Sequence, residues 1–77
     1  MRGSNKAERI VRDMERDMPY MYEGLYGNFL LNYMESDKSK WTTDLSKHLT
    51  NANQDWEDVG QEIALVLWER FEKRISC

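Results

Sequence analysis

A chain of 77 residues holds one small domain and buries only roughly 60–65% of the surface that its unfolded form exposes. Its hydrophobic fraction of 40%, with three tryptophans, four tyrosines, two phenylalanines and five methionines, supplies bulk for a core and excludes disorder by composition. The formal charge of −3 speaks against nucleic-acid binding by the whole surface, and no apolar run approaches the ~18 residues of a membrane span.

The first helix is expected over about residues 5–18. Asn5 is placed to cap it, with Glu8 three residues on as in a capping box. Ala7, Ile10, Val11, Met14 and Met18 then fall on one stripe, and the other positions are charged, so this helix covers one side of a core. Pro19 stops it, because the residue before a proline is pushed out of the helical region. The same proline suits the first turn of a second helix.

That second helix, about residues 20–34, holds all four tyrosines. Tyr22, Leu25, Tyr26, Phe29, Leu30 and Tyr33 recur at helical spacing, while Met21, Leu31 and Met34 lie off that stripe. A helix apolar on more than one side is expected to be buried on more than one side, which makes this the central helix of the chain. Gly24 and Gly27 lie in its interior at a cost of ~1 kcal/mol each relative to alanine. Either the helix bends there, or the glycines with Asn28 form a thin edge where a neighbouring backbone is able to come close.

Glu35 to Lys40 is polar throughout and reads as a loop. A short helix over about 42–50 follows, capped by Thr42 or Thr43, with Trp41, Leu45 and Leu49 on its apolar side. Asn53 is placed to cap a last helix over about 54–75. Trp56, Val59, Ile63, Val66, Leu67, Phe71 and Ile75 mark its main face, widened by Ala64 and Trp68. Acids at its start and Arg70, Lys73 and Arg74 near its end suit the helix dipole. No segment alternates as a strand does. The fold expected is an all-α, compact bundle of three to four helices in a single domain, 1–77, with Leu25, Phe29, Leu30, Val59, Ile63, Leu67 and Phe71 in one core.

Residues that carry chemistry are sparse. His48 is the only histidine, and with Asp44 four residues before it makes neither a metal site nor a catalytic pair, so it reads as a partly buried structural residue. Gly24 and Gly27 are followed by no Gly-Lys-Ser/Thr and form no phosphate loop. So small a domain leaves little room for a ligand pocket of several hundred Å³. No enzymatic activity, metal or cofactor is expected. Cys77, the only cysteine, excludes an internal disulfide and suits a reducing compartment. The charged N-terminus lacks an apolar signal region, so the protein is expected in the cytoplasm, and Met1 to Ser4 resemble an expression leader.

What remains is surface. The second helix carries more aromatic and methionine area than three neighbours cover, so some of Tyr20, Met21, Tyr22, Tyr26, Tyr33 and Met34 are expected to stay accessible, with Tyr20, Tyr22, Tyr26 and Tyr33 as the candidate anchors of a contact. Asp55, Glu57, Asp58 and Glu62 form an acidic cluster that steers a basic protein surface, and a homodimer is a further possibility. The helices flanking Asn51 resemble a helix-turn-helix, but acids stand where a recognition helix needs donors. The function expected is a small acidic protein–protein interaction module, an inhibitor or adaptor that occupies a partner's surface. Small acidic domains of this kind are frequent among phage and mobile-element proteins that block host nucleic-acid-handling machinery. The alternative is a small dimeric DNA-binding or transcription-regulating domain.

Overall fold

The computed structural model describes residues 5–35 and 37–76. It is all-α, with four helices: α1 (Asn5–Asp17), α2 (Pro19–Tyr33), α3 (Lys38–Ala52) and α4 (Gly60–Ser76), and a 3-10 turn, Gln54–Trp56, before α4. Met1 to Ser4 and Cys77, on which the leader and thiol readings fell, lie outside the described residues.

α1 follows the expected stripe: Ala7, Val11 and Met14 are fully buried, while Met18, just past its end, is 39% exposed. Asn5 is already helical, so it is part of α1 and not its cap. Only Met18 separates α1 from α2. Its N–H still donates to Met14 O at 2.8 Å, and its own carbonyl accepts from Tyr22 N at 3.0 Å. Pro19 begins α2, where its missing N–H has no partner to lose.

The third helix is longer than the sequence suggests. It starts at Lys38, and its cap is Asp37, whose Oδ1 accepts from Lys40 N at 2.7 Å. Thr42 caps nothing. It is fully buried within α3, and its hydroxyl donates back to Lys38 O at 2.8 Å. Gln61 Nε2 of α4 donates to that hydroxyl at 3.4 Å. Lys38 to Lys40, expected in a loop, therefore belong to α3, because an aspartate earlier in the polar run caps the helix in place of the threonines.

The fourth helix is shorter than expected. Asn53 does cap, but its Oδ1 accepts from Asp55 N at 3.0 Å and starts the 3-10 turn. Residues 57–59 form a further turn, and α4 begins only at Gly60. Gly60 lies directly against α3: a Cβ placed there would stand 2.8 Å from Thr50 Oγ1 and 3.0 Å from Ser46 Oγ.

The organising helix is α4, not α2. α4 packs on α1, α2 and α3, and buries Ile63, Ala64, Leu67, Trp68 and Phe71. Phe29 is the part of α2 that reaches deepest. Its ring lies 5.3 Å from Phe71, 5.0 Å from Trp68 and 5.5 Å from Trp41, centroid to centroid, the last two edge-on. Edge-to-face and tilted pairs at these spacings add to the energy of burial. Leu30, expected in this core, is 45% exposed, since the residue after Phe29 is turned roughly 100° away from it around the helix. Leu25 is half-buried at the edge of the core.

Candidate interaction surface

Because α4 occupies the centre, α2 lies at the outside with one side inward and one side free. Tyr22 and Phe29 are buried, and Leu25, Tyr26 and Tyr33 are half-buried. The opposite side carries Tyr20, Leu31 and Met34, which are 95%, 84% and 87% exposed. Between them along the same side come Gly24 and Gly27. A Cβ at either glycine would meet no other atom within 4 Å. The close approach expected at these glycines thus does not occur within this chain. Their edge is bare backbone flanked by large apolar side chains.

Each candidate anchor has a definite place. Tyr20 stands free. Tyr22 is buried, and its hydroxyl accepts from Arg70 Nε at 3.4 Å, so it belongs to the core and is not an exposed anchor. Tyr26 packs beside Phe29 and Phe71 and is covered by the Arg74 guanidinium, 3.9 Å from the ring centroid. Tyr33 leans on Phe29 and Trp68, with its hydroxyl 3.4 Å from Glu72 Oε2. Met34, expected among the accessible residues, is indeed exposed, whereas Leu31 was not among them. Its position off the main stripe was the available signal.

The inward flank of α2 is closed by ion pairs to α4. Arg74 meets both oxygens of Glu23, each contact at 3.1 Å. Arg70 reaches Glu15 of α1 at 2.6 Å. The Arg70 guanidinium is held above its ordinary value, first by its bond to Tyr22 and further by Glu15, with partial burial opposing. These pairs neutralise the charges nearest the apolar face. They are at least a third exposed, so each stabilises the fold little.

On the other flank, α2 and α3 splay apart and leave an open groove of about 580 Å³. Met21, Leu25, Trp41 and Leu45 contribute apolar surface, and Asn28, Lys40, Asp44 and His48 polar groups. This groove is larger than a domain of this size led us to expect. Asn28 and Asn32 of α2 line it, with Gly24 at its outer edge. Trp41 Nε1 donates to Asn28 Oδ1 at 3.1 Å and ties the two walls. His48, expected to be partly buried, is exposed and lines the groove with Asp44.

The acidic cluster is arranged differently from the expectation. Asp55 lies in the 3-10 turn, and Glu57 and Asp58 in the turn that follows, all three exposed. Only Glu62 belongs to the first turn of α4, and its Oε1 is buried without a hydrogen-bond partner among the described residues. The acids thus stand between α3 and α4, and the free tyrosine, Tyr20, stands on α2. Among the described residues no group of His, Cys, Asp or Glu is arranged to hold a metal ion, and no helix is long and apolar enough to cross a membrane.

Comparison with protein-family models, with curated proteins and with solved structures finds no match for this chain.

Proposed function

We propose that the protein is a protein–protein interaction module that works by occupancy, as an inhibitor or adaptor, and that its contact surface is the outer side of α2. The observation that supports this is the exposure of Tyr20, Leu31 and Met34 along one uncharged helix side. A small domain can least spare apolar surface, and here three of its large apolar residues go uncovered. A clustered apolar patch on a monomer is a typical mark of a contact site. Tyr and Met suit such a site because they combine area with adaptability. The groove toward α3 extends the same surface, with Trp41 and Leu45 as apolar ground and Lys40, Asp44 and His48 as a polar rim. Acids at Asp55, Glu57 and Asp58 would affect the rate at which a basic partner arrives more than the affinity of the contact.

The test is capture by immobilised protein from a lysate of the source cells, run beside a Leu31→Asp/Met34→Asp variant. Both sites are open to solvent, so the variant should keep the wild-type helicity and melting temperature. The proposal expects a protein retained by the wild type and lost by the variant. Equal retention by both would place the contact elsewhere and overturn it.

A further inference from the structure

We infer that the outer side of α2 is a homodimer seam, on which a second copy of this chain packs with its own α2 antiparallel. This rests on the reading of that side as a contact surface and names its occupant. Tyr20, Gly24, Gly27, Leu31 and Met34 follow one another at spacings of four, three, four and three, the repeat of a helix seam that meets another helix. All five are exposed.

The order of sizes along the seam is what selects a second copy. Two glycines are followed by two large residues. When an identical helix runs the opposite way, Leu31 of one copy falls on Gly27 of the other and Met34 falls on Gly24. The two-fold axis repeats both contacts, so four successive layers each set a large side chain into a glycine notch. Such self-complementarity is what an isologous interface requires. It also gives the glycines a role. Within the chain, a Cβ at Gly24 or Gly27 would meet nothing, so no internal packing accounts for glycine at either position. A seam with bare backbone at its middle lets two helix axes approach closer than the usual 8–10 Å.

Charge agrees with this occupant. The chain carries −3, yet the seam has no charge, and Glu23 beside it is already paired with Arg74. A second copy therefore meets no like charge on the seam itself, whereas a basic partner finds nothing there to neutralise. Tyr20, Leu31 and Met34 are the large side chains of the seam, and each is more than four-fifths exposed. A single helix face of this kind lies at the small end of specific interfaces, so the dimer is expected to form only at high protein concentration.

Sedimentation equilibrium from about 1 µM to about 500 µM, together with thermal unfolding at low concentration, tests the seam. The wild type should pass from monomer to dimer across that range. Gly24→Ala/Gly27→Ala should move the two observables in opposite directions. The monomer's melting temperature should rise by several degrees, because alanine favours the helix and meets no atom. The dissociation constant should rise at least tenfold, because each notch is filled. Leu31→Asp should also abolish the dimer while leaving the monomer folded. A wild type that stays monomeric at about 500 µM overturns the seam, and the capture experiment then judges the contact surface separately. A dimer that tolerates both alanines overturns it as well, since the copies then meet elsewhere.

Discussion

A side chain at Gly60 would collide with Thr50: the Cβ position lies 2.8 Å from the Thr50 hydroxyl oxygen. α3 and α4 meet at this point, and the absence of a side chain sets how closely they approach. Gly60→Ala forces Thr50 and Ser46 to give way, with overpacking costs of about 1–3 kcal/mol that outweigh the gain in helix propensity. Chemical denaturation should show a lower midpoint for this variant. The Gly24 and Gly27 alanines are expected to raise it, so the same substitution has opposite signs on two helices.

Phe29 joins α2 to the rest of the core through rings on α2, α3 and α4. Phe29→Ala should cost about 3–5 kcal/mol, a large part of the whole stability of so small a domain. Urea unfolding followed by tryptophan fluorescence reads this directly, because Trp41 and Trp68 pack edge-on against the lost ring.

Tyr22 separates folding from association. It is 4% exposed and packs edge-on against Phe71 at 5.3 Å. Tyr22→Ala should therefore lower the melting temperature strongly, whereas Tyr20→Ala should leave it unchanged within error and weaken association. Thermal unfolding and sedimentation on both variants distinguish the two roles.

Asp37 starts α3 by accepting from Lys40 N. Asp37→Ala should destabilise the fold by about 1 kcal/mol, with Asp37→Asn nearly neutral, as expected for an N-cap. Thermal denaturation of the pair checks it. Thr42→Val tests the contrasting role, because it removes the buried hydroxyl that accepts from Gln61.

Asp17 gives a pH prediction of known sign. The hydrogen bond from Arg16 Nε at 2.9 Å, with the guanidinium charge, holds its carboxyl below the usual carboxylate range. A carboxyl lowered in this way adds stability above its unfolded value and loses it as pH falls through its folded value. The pair is solvent-exposed, so the effect on stability is small. Arg16→Ala should return the Asp17 titration, followed by NMR, to the ordinary range.

Much of this fold was legible in the sequence. The α1 stripe, the break at Pro19, the apolar face of α4 and the all-α class all follow from local periodicity and backbone chemistry. The misplaced boundaries have physical reasons. Asp37 and the two threonines compete as caps, and only the burial of Thr42 decides between them. Asp55, Glu57 and Asp58 look like the first turn of α4, but Asn53 caps a 3-10 turn there and α4 begins only at Gly60. Periodicity showed that α2 is apolar on several sides, yet it carries no information on which side other elements cover. α4 took the centre, Tyr22 went inside, and Leu31 and Met34 were left out. The α2–α3 groove was equally illegible, because it depends on how two helices are placed in space, which local periodicity does not carry.

Hydroxyl-radical footprinting of Met34 tests the central claim most directly, comparing the dilute protein with the protein in its assembled state. The side chain is 87% exposed, and Met14, which is fully buried, serves as the internal control. The account predicts that Met34 oxidises rapidly when dilute and is protected on assembly, with Met14 inert in both states. Rapid oxidation of Met34 that persists after assembly would contradict it, because the outer side of α2 would then remain uncovered in the complex.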